Sequence, residues 1–189
     1  MKFKWLLLIL ISLIFLLLGF LTAGYMISHT DPRDRMIAIG QWHSPENVGS
    51  PDASSWEKAF ISWHATFAVQ SSEVLYLSVR RDETGAAFRE ECDYEMSGGK
   101  IPAHWWSVTI YNADGFLPES KAQNSIDGGV TNDSWKIRIS RTKTDGGLWL
   151  PSKNAGEFNL LLRLYVPLKK LPDWKAEDLP LIRRVSCPA

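Results

Sequence analysis

Between Trp5 and Ile27 the chain carries no charged side chain, and Leu, Ile and Phe fill most of the positions. Twenty-three residues rising about 1.5 Å each make a helix of roughly 34 Å, enough for a hydrocarbon core of about 30 Å. Lys2 and Lys4 precede the run, whereas Asp31, Arg33, Asp34 and Arg35 follow it with balanced sign. The positive-inside bias therefore keeps the N-terminus cytoplasmic and puts the chain from about His29 onward across the membrane. A cleaved signal peptide is the rival reading, with Thr22-Ala23-Gly24 as small residues at a cleavage position. Its apolar core would normally stop at about 7–15 residues, and this one runs on, which favours an uncleaved anchor. Either way the remainder is exported. Residues 1–28 are thus expected to be the anchor, 29–72 a helical and extended connector packing on the main domain, and 73–189 that domain.

About 160 residues beyond the run suit one globular domain with a single core. Twenty-one basic and twenty-one acidic residues cancel, and no Lys/Arg block appears, so nucleic-acid binding has no electrostatic footing. Nine Trp, eight Phe and five Tyr supply large rings, either to a β-rich core or to an aromatic cleft. The cysteines are two, Cys92 and Cys187. In a reducing cytosol they would be buried thiols, whereas in an exported domain the even count favours a disulfide. That bridge would close a loop of about 95 residues, contributing roughly 4–5 kcal/mol in the chain-entropy model.

Asp31-Pro32 resembles an N-cap followed by Pro at the first helical position, which predicts a short helix to about Ile39, stopped by Gly40. Residues 41–53, with Pro45, Gly49, Pro51 and Asp52, read as extended or looped chain. Ser54 and Glu57 then match a capping box, and Trp56, Ala59, Phe60, Trp63 and Phe67 recur at helical spacing, a stripe expected to pack on a sheet. From Glu73 the period becomes two. Leu75/Leu77/Val79, Trp106/Val108/Ile110, Trp135/Ile137/Ile139 and Leu160/Leu162/Leu164/Val166 each alternate with more polar neighbours. Turns at 82–85 and 112–115 separate such strands, which indicates an antiparallel sandwich or barrel without βαβ rhythm. Pro172, Pro180 and Pro188 predict an extended strap for the tail.

The chain offers little recognisable chemistry. His29, His43, His64 and His104 have no metal-ligand spacing and no CxxC accompanies them, so no metal or cofactor is expected. No G-x-S-x-G elbow exists, and Gly98-Gly99-Lys100 lacks the rest of a phosphate loop and reads as a turn. No catalytic residue is assigned. The carboxylates Asp82, Asp93, Asp114, Asp127, Asp133 and Asp145 fall mostly in turns, where an acid commonly bonds its own backbone. One strand face stands out. Trp105, Ser107, Thr109 and Tyr111 share a side that is aromatic yet hydrogen-bonding, and Tyr76, Arg163 and Tyr165 hold comparable positions elsewhere. As neighbours they would line a polar-aromatic cavity holding one cation, a suitable ligand site. The bland alternative pairs Arg163 with an acid and leaves the tyrosines at the sandwich rim.

Trp105-Trp106-Ser107-Val108-Thr109-Ile110-Tyr111, then Asp114-Gly115-Phe116-Leu117, Trp149-Leu150-Pro151, and Phe158 with Leu162-Arg163-Leu164-Tyr165 and Pro167 form four ordered blocks. Together with Pro180-Leu181-Ile182-Arg183 they resemble the DUF1214 family over about residues 73–184. Gly40-Gln41-Trp42 and Gly49-Ser50-Pro51-Asp52-Ala53 are similar to its short, stand-alone, membrane-anchored branch without the DUF1254 half. The resemblance implies a β-sandwich of jelly-roll type, a Cys92–Cys187 bridge and a Gram-negative source, but no established activity. Leu148 stands where the family has Asn, and Pro118-Glu119-Ser120 and Gln123-Asn124-Ser125 depart from its pattern, so part of any shared site is changed.

The expected fold is therefore all-β, a jelly-roll-like antiparallel sandwich with one or two accessory helices and an N-terminal transmembrane helix. The expected role is a non-catalytic domain, held at the bacterial inner membrane by a single span and facing the periplasm. There it would bind an envelope protein or a small ligand. An envelope hydrolase using the Tyr76/Tyr111/Arg163/Tyr165 face is the alternative.

Overall fold

The computed structural model describes residues 2–29, 36–63, 69–119, 123–130, 134–143 and 146–188. Two compact units divide at Asp34/Arg35. The first holds helix α1 (Lys2–His29), whose stretch Phe3–Met26 has a mean hydropathy of 3.0 and no buried residue. A helix this long and this apolar, with bare sides, is compatible with a membrane span. Among the described residues it is the one such helix.

Among the described residues the second unit has eleven strands, one short helix and three 3-10 turns. Strands β1 (Met36–Ile39), β2 (Trp42–Pro45), β3 (Val74–Val79), β10 (Glu157–Pro167), β6 (Ala103–Asn112) and β7 (Ser125–Asp127) lie side by side in that order, and β4 (Phe88–Arg89) adds to β10. A second sheet runs β11 (Leu181–Ser186), β5 (Asp93–Gly99), β8 (Ser134–Ser140), β9 (Leu148–Pro151). All pairs are antiparallel except β8 with β9. The alternating apolar positions do what period two demands: Leu77, Val108, Ile110, Leu160, Leu162 and Leu164 of the first sheet are fully buried with Tyr94, Met96, Ile137, Ile139 and Ile182 of the second. Rings tie the two faces together. Tyr94 meets Phe88 and Phe158 edge-on at 5.0 and 5.8 Å, and Trp106 stacks on Trp135 at 4.7 Å. The result is an open sandwich, as the period-two pattern predicted.

Two expectations need correction. Residues 36–39 are strand, not helix: Gly40 at φ 61 turns the chain back so that Ile39 faces Trp42 in a hairpin. Residues 30–35, with the supposed cap, lie outside the described residues. Helix α2 (Ser55–Trp63) does start at the capping box, with Ser54 Oγ accepting from Glu57 N at 3.2 Å and Glu57 Oε2 from Ser54 N at 2.7 Å. Of its stripe, Trp56 is half-buried and Ala59 exposed; the Phe60 and Trp63 side chains and Phe67 lie outside the described residues. The tail is more than a strap. After two 3-10 turns at Leu171–Asp173 and Ala176–Asp178 it becomes edge strand β11, burying Trp174, Leu179 and Ile182. A Cys92–Cys187 disulfide fastens its end, joining residues 95 apart in sequence.

Candidate functional site

Strands β3, β10 and β6 are the centre of the larger sheet, and one residue in two on each turns away from the core. On that outer face the register sets Arg163 opposite Tyr76 on one side and Ser107 on the other. Tyr165 faces Trp105, Leu161 faces Thr109, and Asn159 faces Tyr111. All seven residues singled out in the sequence thus share one face of three adjacent strands. The face lies outside the sandwich rather than in its interior.

Within it, three side chains touch directly. Arg163 Nη1 donates to Thr109 Oγ1 at 3.0 Å and Nη2 donates to the Tyr111 hydroxyl at 2.7 Å, with the guanidinium carbon 5.9 Å from the Tyr111 ring centre. Thr109 Oγ1 donates to Ser125 Oγ at 3.1 Å, and Ser125 Oγ donates to the Val108 carbonyl at 3.0 Å. Trp105 and Tyr165 make a separate ring pair, 4.8 Å between centres and tilted by 53°. Tyr76 and Ser107 flank Arg163 in register, and their hydroxyls have no hydrogen-bond partner among the described residues. Ser107 is only 6% exposed. Arg163 forms no ion pair among the described residues, in contrast to Arg138, Arg141 and Arg184, each of which sits on a carboxylate. Among the described residues Arg163 rests on hydroxyls and not on a carboxylate.

A cleft of about 750 Å³ opens at one end of the sandwich, between the stacked Trp106 and Trp135, the exposed Trp105, and Lys100 and His104. Sequence reading missed it. Gly98-Gly99-Lys100 reads as a simple turn, but a Cβ on Gly98 would stand 2.7 Å from the Trp135 ring, and one on Gly128 2.9 Å from Trp106 Nε1. The two glycines are where indole rings lie against backbone. Trp105 belongs to both features, ring to the outer face and rim to the cleft.

Among the described residues no three His, Cys, Asp or Glu side chains are placed to hold a metal ion. Asp82 and Asp178 are engaged by Arg184 and Lys169. Nothing basic enough to take a proton contacts Arg163 or Tyr111 among the described residues.

Residues 73–169, which contain all seven outer-face positions, match the family model described as a protein of unknown function (DUF1214). The chain belongs to the DUF1214 family. Its fold is similar to that of the VPA0106 protein from Vibrio parahaemolyticus, with a TM-score of 0.58 at 18% identity over 89% of this chain and 43% of that one. An uncharacterised Burkholderia cenocepacia protein aligns with a TM-score of 0.47 at 17% identity, over 90% of this chain and 42% of its own. This DUF1214 chain therefore spans less than half the length of either structure. At such identity the Vibrio likeness speaks to the fold alone. No curated protein matches this DUF1214 chain.

Proposed function

We propose that this DUF1214 protein is a membrane-tethered, non-catalytic binding domain that faces the periplasm of a Gram-negative cell and holds a small ligand on its sheet. The observation that carries the reading is the outer face around Arg163. A half-buried guanidinium held by neutral hydroxyls, with no carboxylate on it among the described residues and with the Tyr76 and Ser107 hydroxyls beside it, offers a positive charge and free hydrogen-bonding capacity to a ligand on this face. The apolar helix supports the tether, and a disulfide supports an oxidising compartment. The absence of a neighbouring base among the described residues speaks against the hydrolase reading.

Native mass spectrometry of the full chain in neutral detergent tests the proposal. The expected spectrum carries an added mass that disappears on denaturation. Turnover of p-nitrophenyl esters or glycosides by the same preparation, abolished in Arg163→Ala, would sink the non-catalytic reading and favour the hydrolase.

A further inference from the structure

The hydroxyls around Arg163 form a chain whose direction is fixed, and that direction specifies what the open end can accept. Each hydroxyl has one proton to give. Ser125 spends its proton on the Val108 carbonyl at 3.0 Å, and Thr109 gives its own to Ser125 Oγ at 3.1 Å. Thr109 Oγ1 and the Tyr111 oxygen are then acceptors for Arg163, at 3.0 and 2.7 Å. The Tyr111 proton is left with no acceptor among the described residues, and two of the five guanidinium N–H groups are used. What the cluster turns outward is therefore donors: the remaining Arg163 N–H groups and the Tyr111 O–H.

The neighbours add to this rather than cancel it. The unpartnered Ser107 and Tyr76 hydroxyls flank Arg163 in register on β6 and β3 and can donate as well. The carboxylate that lies in the same row is Asp127, beyond Ser107 on β7. Two strand spacings put it about 10 Å away at the backbone, and its Oδ1 accepts from Gly129 N at 2.8 Å. A cation with no carboxylate on it among the described residues, and with outward-facing donors beside it, matches an acceptor-only anionic group, which a guanidinium fork binds at short charge-assisted distances. Leu161, half-buried on the same face opposite Thr109 and Ser78, gives an apolar surface beside the fork.

We propose that Arg163 and Tyr111 form the recognition point for a terminal oxyanion, a carboxylate or a phosphate monoester, on a small ligand whose apolar body lies over Leu161 and Tyr76. The inference rests on the outer face being a ligand surface and adds the chemical class of what it holds.

Isothermal titration of the full chain in neutral detergent with benzoate, phenyl phosphate and benzamide tests it. At least one anion is expected to bind with a Kd in the range of about 1 mM or tighter. The neutral amide should bind at least about tenfold more weakly, and Arg163→Gln should weaken the anion by about tenfold or more. Tyr111→Phe removes only the hydroxyl and keeps the packing. It is expected to cost roughly three- to tenfold and serves if the Arg163 variant does not melt cooperatively. Preference for benzoate assigns a carboxylate, and preference for phenyl phosphate assigns a phosphate monoester. Benzamide binding as well as the anions, wild-type affinity in a folded Tyr111→Phe and Arg163→Gln pair, or no anion binding up to about 50 mM would each overturn the inference. Failure here leaves the binding-domain reading standing if native spectra still show a retained neutral or cationic mass. Anion binding alongside ester turnover would do the reverse.

Discussion

Asp82 is 4% exposed at the turn after β3, where burial on its own would raise its pKa. Four contacts outweigh that. Its Oδ1 accepts from Thr84 N at 2.9 Å, Thr84 Oγ1 at 2.6 Å and Ala86 N at 3.1 Å, and Arg184 reaches its other oxygen. The carboxyl is held below the ordinary 3.8. A depressed folded-state pKa means that the stabilisation is fully present above about pH 4 and is lost as pH falls through the folded value. Asp82→Asn is accordingly expected to lower stability at pH 7 by about 2–3 kcal/mol and to flatten the loss of melting temperature below about pH 4. Equal acid sensitivity in both proteins would show that other carboxylates set it. Val166 raises a different issue. It has φ 46, is 52% exposed, and precedes Pro167. A β-branched residue in the left-handed region is strained, and a following proline worsens the crowding. Val166→Gly should raise stability by about 0.5–1 kcal/mol in a denaturant titration; a drop would mean that the Val166 side chain contributes packing after all.

At the scale of elements, the tail is held from both of its edges. β11 pairs with β5 on one side. On the other, the amide of Gln41 acts as a one-residue strand: Nε2 donates to the Ile182 carbonyl and Oε1 accepts from Ile182 N, both at 2.9 Å. Trp42, 1% exposed, adds its Nε1 to the Pro180 carbonyl at 2.7 Å. Gln41→Ala is expected to cost about 1–2 kcal/mol because it strands two buried main-chain groups. Cys92→Ser with Cys187→Ser should cost about 4 kcal/mol, and hydrogen exchange should show the amides of β11 opening before those of β10. Uniform protection across both strands would rule out the tail as the weak edge. This clasp was hidden from the sequence for definable reasons. Met36–Ile39 is four residues long, too short for either period to decide, and Asp31-Pro32 pointed to a helix. Pro180 and Pro188 suggested a strap, although the stretch between them is free of proline and long enough to pair. The long strands were legible, because Trp106, Val108 and Ile110 alternate cleanly with Ser107, Thr109 and Tyr111. The common face of the seven candidate residues followed from the same parity. Which of them touch did not, since the Arg163–Thr109 and Arg163–Tyr111 contacts join residues 54 and 52 apart and depend on the pairing of β10 with β6. That no carboxylate among the described residues pairs with Arg163 is likewise a property of register.

For the molecule as a whole, tether, compartment and disulfide are linked, so one measurement bears on all three. If α1 spans with Lys2 and Lys4 inside, residues beyond it are oxidised and Cys92–Cys187 is closed. Membranes from cells expressing the full chain should then yield, after denaturation, a protein that takes up no maleimide-PEG until it is reduced and two afterwards. Its intact mass should include residues 1–29, and carbonate washing should leave it in the membrane, as expected for a 24-residue apolar helix of mean hydropathy 3.0. Deleting residues 2–29 should leave both thiols reactive in the cytosol and remove the cross-link's stabilisation of about 4 kcal/mol. A soluble, oxidised protein shortened near Ala23 would keep the export and remove the tether, turning the apolar run into a leader. A full-length, membrane-bound protein with two free thiols would place the sandwich on the cytoplasmic side. The periplasmic reading would fall, and any ligand of Arg163 would have to be sought among cytoplasmic anions.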